Sequence, residues 1–72
     1  MKLNILVLGA GGNASRNYIK SLRLNKDFIG KIIGTDISLN ATYVSNADKC
    51  YLIKEHDKLN SINEIIENEQ ID

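Results

Sequence analysis

The sequence predicts an α/β fold: a partial doubly wound parallel sheet with its elements in the order β-α-β-(short α)-β-α. Three observations carry that prediction. A nearly continuous apolar run, Leu3 to Leu8, stops at Gly9-Ala10-Gly11-Gly12, as a strand buried on both faces does. Apolar residues then recur at helical spacing in two separate stretches, 13–24 and 59–66. Between those stretches lie two short runs rich in β-branched and aromatic residues. Alternation of this kind implies parallel strands joined by right-handed crossovers.

The elements follow in order. Leu3 to Leu8 is the first strand. Ala14, Tyr18, Ile19 and Leu22 make an apolar stripe on a helix from about Asn13 to Leu24, ended by the Asn25-Lys26-Asp27 cluster. Phe28 and Ile29 are expected to pack back onto the core before Gly30 turns the chain. Lys31 to Asp36 is the second strand, and Gly34 within it points to close approach of another backbone. Ser38 to Asn40 reads as loop and Ala41 to Asn46 as one short helical turn. Lys49 to Ile53 is the third strand and Lys54 to Lys58 a polar loop. Leu59, Ile62, Ile65 and Ile66 mark the last helix, started by Asp57 or by a Ser61–Glu64 capping box.

Composition narrows the function classes. Nine basic and nine acidic side chains cancel, so net charge gives no argument for nucleic acid or an anionic membrane. At 43% hydrophobic and 25% charged, the chain has ordinary globular material. No apolar run approaches the roughly 20 residues needed to span a bilayer. Met1 to Ala10 faintly imitates a signal peptide, but Asn4 interrupts it and Gly11-Gly12 follow at once. The single cysteine, Cys50, forbids an internal disulfide and fits a reducing, cytoplasmic setting. With one histidine, His56, no Cys/His metal cage can form. The absence of proline, with nine asparagines and eleven isoleucines, reads as a compositional habit of the source genome.

Chemistry concentrates at Gly9-Ala10-Gly11-Gly12-Asn13-Ala14, which satisfies G-x-G-x-x-A between a strand and a helix. Gly9 would permit the tight turn, Gly11 would let backbone approach a ligand, and Ala14 would let the helix lie close to the strand. The helix N-terminus would face an anion. The competing reading is a tight turn that binds nothing. Asp36 ends the second strand 22 residues beyond Ala14, where a Rossmann-like unit places a ribose-binding carboxylate. It could equally cap the next turn through its own backbone. Arg16 is expected as a solvated cation paired with a nearby acid, or as a contact to an anionic ligand. Asn13 and Ser15 are helix caps or touch the same ligand. Cys50 reads as an inert core thiol, His56 as a solvated loop residue, and Glu64, Glu67 and Glu69 as a solvated helix face. No nucleophile–base–orienter set is present, so no residue is assigned as catalytic and none as a metal ligand.

Residues 2–12, Gly34-Thr35-Asp36-Ile37-Ser38 and Ala47-Asp48-Lys49-Cys50-Tyr51-Leu52-Ile53 resemble the start of ATP-grasp ligases of the carbamoyl-phosphate-synthase-like kind. The last segment is similar to that family's A-D-x-x-Y-x-V-P pattern at the third strand, and is the most discriminating of the three. The family often has prolines after the second-strand Asp and after the third strand, where this chain has Leu39-Asn40 and Lys54. The resemblance implies that residues 1–72 form the amino-terminal, Rossmann-like pre-ATP-grasp domain. Such a domain packs on the ATP-grasp domains and lines the acceptor-substrate side. It does not normally hold a dinucleotide and is not catalytic alone. ATP and Mg²⁺ are held by the later domains of the parent ligase. Gly9, Gly11, Gly12 and Asp36 carry over as ligand-binding positions.

The expected partners are therefore those domains and a small-molecule substrate, with no nucleic acid and no membrane. The length is read as truncation of a larger enzyme. The open edge of the first strand is expected to be covered by residual tail or a partner chain, and to drive self-association. The alternatives are an NAD(P)-binding half of a Rossmann oxidoreductase or epimerase, and a small non-enzymatic sensing or scaffold module.

Overall fold

The computed structural model describes all 72 residues, Met1–Asp72. Three strands, β1 (Leu3–Leu8), β2 (Ile29–Asp36) and β3 (Lys49–Leu52), pair in parallel in the order β1-β2-β3. Helices α1 (Asn13–Leu22) and α2 (Leu39–Val44) join them. A 3₁₀ turn (Glu55–Asp57) leads into α3 (Lys58–Asn68). The α/β class and the order of elements are those the sequence predicts. No helix is long and apolar enough to cross a membrane.

Two apolar clusters sandwich the sheet. Val7, Ala10, Ile19 and Ile32 form one, with Ile5, Leu22 and Cys50 packed against it. Ile33, Ile53 and Ile65 form the other, with Leu6, Tyr51 and Ile62. Neighbours in sequence along a strand, such as Leu6 and Val7, fall in different clusters because side chains alternate between the two faces of a sheet. Helix α1 therefore covers one face and α3 the other. Only ten residues are buried, seven of them the apolar residues of the core, so each of those seven contributes a large share of it.

Several local expectations need correction. Helix α1 ends at Leu22, and its inward stripe is Ser15, Ile19 and Leu22; Ala14 and Tyr18 are exposed. Ile19 and Leu22 of the expected stripe face the core, while Ala14 and Tyr18 lie beside it on the same helical period, and only packing separates them. Phe28 is 66% exposed. Helix α2 starts two residues early because Ser38 caps it, accepting from the Ala41 N–H. The polar 54–58 segment contains the 3₁₀ turn, and Ser61 lies inside α3. Asp57 holds the N-cap position of α3 without a side-chain cap bond. Leu59 is exposed, so Ile62 and Ile65 carry the inner face.

Gly30 does not turn the chain but belongs to β2. The β1–β2 register slips between Leu3↔Ile29 and Ile5↔Ile32, so β2 carries one extra residue opposite Asn4. Asn4 Oδ1 fills that bulge by accepting from the Lys31 N–H at 3.1 Å. A Cβ on Gly30 would lie 2.5 Å from the same oxygen. The polar residue inside an apolar strand is thus the one that holds the strand register.

The other groups of Asn4 face the edge of the sheet. Its carbonyl accepts from the Asp72 N–H at 3.0 Å, its N–H donates to Asp72 Oδ2 at 2.8 Å, and Nδ2 donates to the Gln70 carbonyl at 3.1 Å. Residues 70–72 cover this end of the β1 edge. By strand alternation the backbone groups of Leu6 and Leu8 lie further along the same edge. The chain reaches Asn4 through a Schellman turn: Ile71 N–H bonds to Ile66 O and Gln70 N–H to Glu67 O, with Gln70 at φ 55°. A left-handed glutamine is strained where glycine is not. Gln70→Gly is expected to raise stability by up to about 1 kcal/mol, read from the urea midpoint. A lowered midpoint would show that the turn is not strained.

Glu69 anchors the end of α3 to the sheet. It pairs with Lys31 Nζ at 2.8 Å and accepts from the Tyr51 hydroxyl, while Lys49 Nζ lies 4.6 Å from the Tyr51 ring centre. These hydrogen bonds, from Lys31 first and Tyr51 second, hold its carboxyl below the usual carboxylate range. Glu69 is therefore not part of a solvated helix face. A depressed folded pKa gives stability that is present above the unfolded pKa and lost as pH falls through the folded one. Wild type should exceed Glu69→Gln most at neutral pH, and the gap should close below about pH 4. A gap that is constant with pH would refute the anchor.

Candidate functional site

The glycine loop leaves β1 at Gly9, whose φ of +65° few other residues adopt. Ala10 N–H bonds to Thr35 O at 2.9 Å, which extends the β1–β2 ladder by one rung, and the Ala10 side chain is fully buried. Gly12 caps α1 by position only, with no side-chain cap bond, and its N–H returns to Gly9 O at 3.2 Å. Asn13 does not cap the helix; its Oδ1 accepts from Arg16. Arg16 thus takes an amide partner where the sequence suggested an acid.

Gly11 also has a packing duty. A Cβ there would lie 2.3 Å from the Ala41 carbonyl oxygen and 2.4 Å from the Ala41 Cβ. Helix α2 rests on the loop at this point. The space that a bare glycine backbone would offer a ligand is filled by the chain itself.

Asp36 ends β2, as expected, and both of its oxygens are engaged. Oδ2 accepts from the Gly11 N–H at 3.1 Å and Oδ1 from the Ser38 N–H at 3.2 Å. The Ser38 bond is a turn cap through nearby backbone. The Gly11 bond ties the end of β2 to the glycine loop. Two of about four acceptor positions on the carboxylate are used. Asp36→Ala strands the buried Gly11 N–H and should cost about 1–3 kcal/mol in urea denaturation, with Asp36→Asn in between. Unchanged stability in both would mean that the carboxylate has no structural duty.

At the carboxyl ends of the strands lies a crevice of about 170 Å³. Gly9, Thr35 and Asp36 line it, with Glu55 and Lys58 also on its wall. Two of the four expected ligand positions, Gly9 and Asp36, therefore meet there. Gly11 and Gly12 do not line it. Glu55 and Lys58 come from a stretch that reads in sequence as featureless polar loop, so only the fold brings them in. The volume is below the roughly 300–1,000 Å³ of typical small-molecule pockets.

The zero net charge conceals a separation across the sheet. Residues 13–26 contain Arg16, Lys20, Arg23 and Lys26 and no acid. Residues 55–72 contain six acids and one lysine. These stretches belong to opposite faces, so the α1 face is basic and the α3 face acidic.

Cys50 is half-buried, and burial pushes its thiol up, as suits an inert core residue. His56 is exposed on the 3₁₀ turn. No group of three or more His, Cys, Asp or Glu side chains converges to hold a metal.

The segment Ala47 to Ile53 has a structural duty at each characteristic position. Ala47 packs where a Gly34 Cβ would lie 3.3 Å away. Asp48 Oδ2 accepts from the Ile32 N–H at 2.7 Å and Oδ1 pairs with Arg23 at 3.2 Å. Tyr51 reaches Glu69, and Ile53 is buried in the α3-side cluster. The fold and this site define a small parallel α/β unit whose glycine loop is closed by its own second helix. Comparison with family models, curated proteins and solved structures finds no match to this chain.

Proposed function

We propose that this chain is the amino-terminal, Rossmann-like domain of an ATP-grasp ligase of the carbamoyl-phosphate-synthase-like kind. Its role there is to line the acceptor-substrate side and to pack on the catalytic domains. Nucleotide and Mg²⁺ are held by those other domains, and the chain has no catalysis of its own. Such ligases activate a carboxylate as an acyl phosphate and join it to an amine or thiol. Gly9 and Asp36 face the acceptor at the strand-end crevice, while Gly11 and Gly12 shape the loop behind it. The free part of the β1 edge receives a further strand of the parent enzyme, or a second copy when the chain is alone. The setting is cytoplasmic.

The observation that supports this reading over its rival is the closed loop. In a dinucleotide-binding unit, backbone N–H groups of the loop and helix N-terminus face the pyrophosphate. Here the Gly11 N–H is bound to Asp36 and its open side is covered by Ala41. The NAD(P)-binding reading rests on the same glycines and on Asp36, so the two are separated by titration. Calorimetry of the chain with NADH is expected to show no binding, and incubation with ATP and Mg²⁺ no hydrolysis. Micromolar NADH binding would establish the oxidoreductase reading instead. ATP hydrolysis by the chain alone would overturn the proposed division of labour.

A further inference from the structure

The roomiest cavity, about 490 Å³, is a groove between α1 and the end of α2, not the strand-end crevice. Asn13, Arg16, Asn17 and Lys20 line one side, and Val44 and Asn46 the other. Five of these six side chains are polar, two are cationic and none is acidic. The volume falls inside the roughly 300–1,000 Å³ typical of small-molecule sites. Spacings of three and four residues place the four α1 side chains on one flank of the helix.

The groove is held by polar ties across it. Asn46 Nδ2 donates to the Arg16 carbonyl at 3.0 Å, and Arg23 Nη2 donates to the Asn46 carbonyl at 2.6 Å. Arg16 itself is short of acceptors. A guanidinium carries five N–H donors, and this one reaches only Asn13 Oδ1. Its Nε is the one buried side-chain nitrogen or oxygen in the chain without a hydrogen-bond partner. The two ion pairs of the chain, Arg23–Asp48 and Lys31–Glu69, include neither Arg16 nor Lys20. Two uncompensated cations and three amides thus share one cavity. A cation in the first turn of a helix also opposes the helix dipole, a conflict that a bound anion removes.

We infer that this groove binds the oxyanion end of a small polar ligand, a phosphoryl or carboxylate group. Arg16 and Lys20 carry the charge, and Asn13, Asn17 and Asn46 hydrogen-bond its oxygens or neighbouring hydroxyls. The ligand meets the chain on the flank of α1, outside the Gly9–Asp36 crevice. This inference rests on the groove alone and holds whether or not the chain belongs to a ligase.

The test is a nitrogen-15 NMR titration of the chain at low salt with inorganic phosphate, pyrophosphate and succinate in separate arms. Saturating shifts are expected at the side-chain amides of Asn13, Asn17 and Asn46 and at Arg16 Nε. The tighter arm identifies the group as phosphoryl or carboxylate. Arg16→Gln and Lys20→Gln should each weaken that arm at least tenfold. Lys26→Gln, a charge outside the groove, should change it less than twofold. Lys20 is exposed, so its variant carries the test should Arg16→Gln unfold the chain. Shifts that do not saturate, an equal loss in Lys26→Gln, or shifts centred on Gly9 and Asp36 would each overturn the assignment.

Discussion

Gly34→Val is expected to unfold a large fraction of the chain at room temperature. Gly34 lies in the central strand, between Val7 of β1 and Cys50 of β3. A Cβ there would stand 2.5 Å from the Ala10 Cβ, 3.2 Å from Cys50 Sγ and 3.3 Å from the Ala47 Cβ. Ala10 cannot retreat, because it is fully buried and its N–H is bonded to Thr35 O. Overpacking a tight core costs about 1–3 kcal/mol for added methylenes, occasionally more. Valine adds three carbons where the first already collides. A chain of this length has roughly 4–11 kcal/mol in total, and a core of seven buried apolar residues puts it at the low end. The milder Gly34→Ala, at about 2 kcal/mol, should lower Tm by roughly 8–16 °C in thermal circular dichroism. An unchanged Tm for the alanine variant would show that β2 and the glycine loop do not depend on this approach.

Gly11→Ala is the second large effect, and it bears on function. The new methyl would meet the Ala41 carbonyl oxygen at 2.3 Å, a backbone atom of α2. Either α2 lifts from the loop or the loop shifts and loses the Gly11–Asp36 bond. About 2–3 kcal/mol is expected, which is roughly 8–24 °C in Tm. Ala41→Gly in the same chain should recover only part of it, because the carbonyl remains. A glycine kept for ligand approach would be silent in ligand-free protein. An unaltered melting curve for Gly11→Ala would therefore return the loop to a ligand-facing role and weaken the proposed division of labour with it.

Much of the fold was legible because it rests on short-range pattern. Leu3 to Leu8 reads as a strand from its apolar run, and Asp36 reads as a strand end because it closes the run with the β-branched residues Ile32, Ile33 and Thr35. What failed involved partners distant in sequence. Ala14 and Tyr18 share the helical period of the inner stripe but face solvent, since the sheet chose Ile19 and Leu22. Glu69 reads as one more surface acid until β2 brings Lys31, and β3 brings Tyr51, to meet it. The candidate site divided in the same way. The tight turn at Gly9 was readable from composition and order alone. Nothing near residue 11 in the sequence announces that Ala41 will sit against it, nor that Arg16, Lys20 and Asn46 will wall a groove.

By itself, then, the sequence determined the class, the order of elements and the position of the glycine loop. Those depend on periodicity and on backbone conformations that one residue type favours. Only the tertiary structure decided what packs against the loop's second glycine, which acid is anchored and how a neutral chain separates its charge. Those depend on which side chains share a few ångströms of space. Parallel pairing joins strands through crossovers of about a dozen residues or more, so that proximity is set by topology and not by local pattern.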